Sequence, residues 1–195
     1  MTEVTETDAG LAKPRVWPVS VKAYHVLGEL GLIPERTELL YGQVFQKMPK
    51  SPFHCLLLMR LLEMLRSVAL VGRHVRPEQP LVCGDSEPEP DLAVVQGSLE
   101  NYGTAHPRTA DLVIEICVTT EEYDRSKLRA YAEAGVKEVW LILAPEKRIE
   151  THRRPTAGSY SERAVFGSGE RVTCTAVPEL VLEMDRLFLA VSTKV

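Results

Sequence analysis

The chain has few cysteines, no excess of positive charge and no long hydrophobic run, and each shortage excludes something. Its four cysteines, Cys55, Cys83, Cys117 and Cys174, are scattered singly. None has the paired spacing of a zinc ribbon or finger, and no disulfide framework is expected. Cys55, Cys83 and Cys117 sit in or beside apolar runs and read as reduced core residues, which favours the cytoplasm. Lys and Arg number 23 against 27 Asp and Glu, for a net charge of −4. That argues against a dedicated non-specific nucleic-acid coat but leaves room for a local basic groove. The most apolar window, Cys55 to Val71, is interrupted by Arg60, Glu63 and Arg66, so no membrane span is expected. The polar stretch from Thr2 to Lys13 lacks the apolar core of a signal peptide. There is no internal repeat and no low-complexity block.

What remains is a globular composition, 45% hydrophobic and 26% charged over 195 residues, suited to one domain. Residues 1–15 read as a disordered tail and 16–195 as the domain. A short helix is expected from Ser20, with Val21, Tyr24, Leu27 and Leu30 at helical spacing and Gly31 as its stop. Glu38 to Met48 reads as a hairpin about Tyr41-Gly42. A long helix follows from Phe53, its solvated stripe marked by Arg60, Glu63, Arg66 and Ser67. So narrow a polar stripe points to a core-spanning helix rather than to half of a dimer interface. Strands are expected at His74 to Val82, Leu92 to Val95, Asp111 to Thr119 and Val136 to Leu143. One helix is expected over Glu121 to Ala134, and short hairpins from Lys147 onward, then a terminal segment from Leu180 to Val191. The order predicts a mixed α/β domain, a central sheet flanked by helices.

The run Asp111-Leu-Val-Ile-Glu115-Ile-Cys-Val-Thr119 has the β-branched composition of a buried strand, yet Glu115 stands in its middle. A buried carboxylate costs several kcal/mol unless it finds a cation, a metal or strong donors. Asp91 opens the preceding strand, Glu38 opens the hairpin, and Lys127 lies on the helix that follows. Carboxylates held together repel unless a cation neutralises them. Hard oxygen donors of this kind suit Mg²⁺ or Mn²⁺, which polarise a phosphodiester and acidify an attacking water. A nearby lysine would orient that water or stabilise charge on phosphorus.

Pro90-Asp91 followed by Ile114-Glu-Ile-Cys117 resembles the PD-(D/E)XK nuclease superfamily. The wider set is similar to its Uma branch of restriction-endonuclease-like proteins. It runs from Glu38-Leu-Leu-Tyr-Gly-Gln through Ser51-Pro-Phe-His54, Glu89-Pro-Asp-Leu-Ala-Val-Val95 and Asp111-Leu-Val-Ile-Glu115. It ends with Asp124-Arg-Ser-Lys127, Tyr131-Ala and Gly135-Val-Lys-Glu-Val-Trp140. Single motifs of this set are weak; the ordered set, over roughly residues 20 to 150, is specific. The resemblance implies a restriction-endonuclease-like fold with additional C-terminal hairpins. It implies Asp91, Glu115 and the Ile116 carbonyl as metal ligands, with Glu38 as a further one. Cys117 stands where the resemblance implies a lysine, two residues after the glutamate, and by the same resemblance Lys127 would be its migrated replacement. Tyr41-Gly42 replaces the family's Asp-Gly turn, and Val118-Thr-Thr120 its Ser-Pro-Ser.

Plainer readings compete with this one. Glu115 can be half of a salt bridge with Lys127 or Arg129, Asp91 can cap a turn, and Lys127 can pair with Asp124. His54 is more readily a hydrogen-bonded packing residue than a base. Arg73, His74 and Arg76, with Arg125 and Arg129, form a basic rim or ordinary surface charge in equal measure. The expectation is a Mg²⁺- or Mn²⁺-dependent endonuclease on double-stranded DNA, a homodimer, with Asp91, Glu115 and Lys127 catalytic. The alternative is a dimeric binding module that keeps the fold without catalysis.

Overall fold

The computed structural model describes residues 16–189; the tail at 1–15 and the last residues of the terminal segment lie outside them. Ser20 caps α1 (Val21–Glu29) by accepting a hydrogen bond from the Ala23 amide, and Gly31 beyond its end has φ +66°. The hairpin of β1 (Thr37–Leu40) and β2 (Gln43–Gln46) turns where the sequence places it. Tyr41 and Gly42 both have positive φ, the geometry of a tight hairpin turn. A side chain at Gly42 would also collide with Pro18, whose Cβ would lie 2.4 Å away. Ser51 caps α2 (Pro52–Ser67), and Pro52 opens it.

Six strands form the central sheet in the order β3-β4-β5-β6-β7-β8. They are β3 (Arg73–Pro77), β4 (Leu92–Gln96), β5 (Leu112–Cys117), β6 (Glu138–Leu143), β7 (Arg148–Thr156) and β8 (Ser159–Phe166). Only β5 and β6 are parallel. The crossover such a pair needs is supplied by α3 (Glu121–Ser126) and α4 (Leu128–Glu133). The first C-terminal hairpin, β7–β8, widens the sheet. The second pair, β9 (Arg171–Thr173) and β10 (Val181–Glu183), stands apart and leads into α5 (Met184–Leu187).

Strand alternation sends Ile114 and Ile116 to one face, where they meet Leu57, Leu61 and Leu65 of α2 together with Trp140 and Ile142. Val113 and Cys117 face the other way, with Val139 and Leu141, against Ala130 and Tyr131 of α4. Both faces of β5 are covered, so every residue of it is buried and the strand reads as an apolar run broken only by Glu115. Glu115 shares the face of Val113 and Cys117, on the side of α4.

The core reading of α2 holds, since five of its leucines are buried. Glu63, Arg66 and Ser67 of its stripe are exposed, and Arg60 donates to the Leu187 and Leu189 carbonyls. Three local expectations are corrected. Cys55 is exposed, because it lies in the first turn of α2, ahead of the buried leucines that begin at Leu57. The third strand stops at Pro77, because Glu78 turns the chain with φ +52°. The helix expected over Glu121 to Ala134 is two, divided at Lys127. There the amide bonds back only three residues, to the Asp124 carbonyl at 3.2 Å, tightening the turn.

Candidate active site

The antiparallel register of β4 and β5 pairs Leu92 with Ile114, so Asp91 arrives beside Glu115. Each then binds the other's strand. The Asp91 carboxylate accepts from the Ile116 amide at 2.8 Å, and the Asp91 amide makes a long 3.4 Å contact to Glu115 Oε2. These residues line a cleft of about 690 Å³ together with Glu38, Lys47, Lys50, His54, Glu89, Tyr123, Asp124 and Lys127. All four residues singled out in the sequence are therefore brought together.

Lys127 is the hub. Its ammonium lies 3.3 Å from Glu115, 3.2 Å from Glu38 and 3.4 Å from Asp124, with its side chain only 4% exposed. Burial alone would lower its pKa, but Glu115, Glu38 and Asp124 outweigh that and hold it well above the ordinary value. The residue is a buried cation among carboxylates, so its pairings with Glu115 and with Asp124 both exist. Arg129 plays no part, being exposed and paired with Glu133. Glu38 is further anchored by the Tyr123 hydroxyl at 2.9 Å and the Glu89 amide at 3.0 Å.

Two neighbouring carboxylates are pushed in opposite directions. Burial drives Glu115 up to about 8; Lys127 opposes this, while Asp124, Asp91 and Glu38 add to it. Burial also acts on Asp91, but His54, Lys50 and the Ile116 amide overcome it and hold its carboxyl low. Such separation of paired acids is characteristic of sites that handle charge. Tyr131, which the sequence names in the Tyr131-Ala motif without a role at the site, donates its hydroxyl to Glu115 Oε1 at 2.6 Å. His54 does more than pack: its Nε2 lies 3.1 Å from Asp91, although Nδ1 is buried without a partner among the described residues. Lys50 lies 3.2 Å from Asp91. Cys117 is buried in the core with its sulfur 4.0 Å from the Glu115 carbonyl.

Of the two even readings of Arg73, His74, Arg76, Arg125 and Arg129, the basic rim is not seen: among the described residues none of the five lines the cleft. Arg73 is paired with Asp111, Arg125 with Glu121 and Glu150, and Arg129 with Glu133. Arg76 is buried against the Tyr102 ring and His106, and His74 bonds the Gly97 carbonyl. Each found a local partner that sequence spacing does not reveal.

Among the described residues no three His, Cys, Asp or Glu side chains already converge on a common cation position. The donor chemistry nevertheless fits a hard divalent ion. Seven carboxylates against three ammonium groups line the cleft. Beyond the Ile116 amide, Asp91 has only contacts of 3.1 to 3.2 Å to His54 and Lys50, and Glu115 Oε2 has only the long one to an amide. Hard, incompletely satisfied oxygens in a surplus of negative charge suit Mg²⁺ or Mn²⁺.

A mixed six-stranded sheet flanked by helices on both faces is the fold of a restriction-endonuclease-like protein. The profile of the Uma2 family, described as "Putative restriction endonuclease", matches residues 30–185, and the chain belongs to that family. Its fold is similar to that of a protein described as a "putative nuclease belonging to DUF820" from Anabaena variabilis. The two are 22% identical, with a TM-score of 0.68 over 83% of this chain and 96% of that one. No curated protein matches the chain. Among the described residues, no helix is long and apolar enough to cross a membrane.

Proposed function

We propose that the cleft hydrolyses DNA phosphodiester bonds with the help of a divalent cation, Mg²⁺ or Mn²⁺. The observation that carries this reading is the junction of β4 and β5, where Asp91 and Glu115 meet with Lys127 3.3 Å from Glu115. Asp91, Glu115 and the Ile116 carbonyl would hold the cation, and Glu38 would join them only by yielding its contact to Lys127. The bound cation would supply charge neutralisation at the phosphate and acidify water. Lys127 supplies a fixed ammonium with which to orient that water. Tyr131 fixes Glu115, and Tyr123 fixes Glu38. Cleavage of both strands of a duplex calls for two such sites facing opposite strands, so the working form is proposed to be a homodimer.

A second reading is favoured by one observation: Lys127 already neutralises Glu38, Glu115 and Asp124. A binding module that keeps this arrangement as a structural ion cluster would have the same fold. Calorimetric titration with Mg²⁺ and Mn²⁺ separates the two. The nuclease reading expects binding that disappears in Asp91→Ala with Glu115→Ala. Binding that survives the double substitution, or no binding at all, sinks it.

A further inference from the structure

We infer that Lys47 and Lys50 form the phosphate-binding side of the cleft, holding the nucleic-acid backbone against the acidic side. This rests on the nuclease reading and specifies how its substrate is held. The sequence Lys47-Met-Pro-Lys50 spans the connection from β2 to α2, and all four residues line the cleft. A polyanion entering here would meet seven carboxylates, so it needs cations on the opposite wall. The arginines named from the sequence are engaged elsewhere. Lys127 is enclosed by three carboxylates, and its withdrawal would leave buried charge unpaired. Only Lys47 and Lys50 remain among the ammonium groups that line the cleft.

Their present partners make the exchange easy. Lys47 is paired with Glu89, and Lys50 with Glu78 and Asp91. Glu89 is 27% and Glu78 41% exposed, and ion pairs within reach of water are weak. Both glutamates can return to solvent when a phosphate takes their lysine. Lys50 has a second consequence. It stands on Asp91, so a cation arriving there competes with its ammonium, and a lysine displaced from Asp91 is free to move to the phosphate.

The test is binding of a fluorescein-labelled 20-base-pair duplex, followed by anisotropy in Ca²⁺ across a salt series, with duplex integrity checked on a gel. Lys47→Ala and Lys50→Ala are each expected to weaken binding about three- to tenfold, whatever the DNA sequence. Each should also reduce the slope of log K against log salt by about 0.9. Arg154→Ala and Arg171→Ala, exposed and outside the cleft, should change neither. Calcium titration without DNA gives the second readout, in which Lys50→Ala should bind the ion more tightly because a competing cation is gone. If calcium affinity rises while DNA binding and its salt slope stay at wild-type values, the lysines are only fasteners and the inference is overturned. If the wild-type protein fails to bind DNA under any condition, the nuclease reading itself falls.

Discussion

The Lys127 ammonium lies 3.3 Å from a carboxylate oxygen of Glu115, twelve positions earlier in the chain. Strand β5 carries the acid and the joint between α3 and α4 carries the base, so the crossover between two parallel strands builds the pair. The position two residues after Glu115 is filled by Cys117, which is buried in the core and serves packing instead. The cation comes from the helix side because nothing cationic stands on the strand.

Removing that ammonium should have two separable effects. Lys127→Ala strands Glu38, Glu115 and Asp124 without their shared cation, and a loss of about 3–5 kcal/mol is expected at neutral pH by urea unfolding. Divalent ion should restore part of it. In a plasmid-nicking assay under conditions where the variant is folded, cleavage should fall about 10²- to 10³-fold. Equal nicking by variant and wild type would refute a catalytic lysine.

Tyr131→Phe deletes a 2.6 Å hydrogen bond to Glu115 inside the core. With the Glu115 pKa raised to about 8 the partner is mostly neutral below that pH, and a neutral hydrogen bond is worth about 1 kcal/mol, so the loss at pH 6 should be of that order. Because the aromatic ring remains, the packing around α4 should not change. Stability within about 0.5 kcal/mol of wild type would mean that Glu115 finds another donor.

Acid should unfold the protein in part through Glu150 and Asp111. Glu150 is fully buried, and burial alone would raise its pKa. The Arg125 and Arg163 hydrogen bonds, at 2.5 to 2.8 Å, hold it well below the usual carboxylate range instead. Lys137 and Arg73 likewise overcome burial at Asp111. A depressed carboxylate contributes stability that is complete above its unfolded value of about 4, and loses it as pH falls toward the folded value. Glu150→Gln should therefore flatten the fall in unfolding free energy below about pH 4. An acid limb identical to wild type would exclude this cluster.

Glu115 has the opposite sign. Its pKa is raised to about 8, so its contribution declines as pH climbs from the unfolded value of about 4.3 through 8. Glu115→Gln should accordingly compare more favourably with wild type at pH 8.5 than at pH 5.5 in cation-free buffer. A constant difference across that range would contradict the raised value.

The cysteines offer a direct check on the packing. Cys55 is exposed, while Cys83, Cys117 and Cys174 are buried, with burial holding their thiols up in pKa. A thiol reagent should modify one cysteine in the native protein and all four after denaturation. Rapid native labelling of Cys117 would contradict its place between β5 and α4.

The sequence by itself determined what is local. Apolar periodicity placed α2, β5 and β6, and Tyr41-Gly42 set a turn that demands positive φ. A glutamate inside a β-branched run announced a site, because burying it unpaired is too costly to be accidental. Ordered motifs carried the family and its four candidate residues. Tertiary structure alone decided the partners. Glu115 draws its contacts from β4, the α3–α4 joint and α4, and Asp91 draws its own from the start of α2 and from the loop before it. The arginines of the candidate rim, on β3, α3 and α4, were claimed by carboxylates or rings that folding brought near. Charge pairing acts through space over a few ångströms, and spacing along a chain says little about which groups will stand that close. For the same reason Lys127, one lysine on a helix as a sequence, became in the fold the cation on which three acids depend.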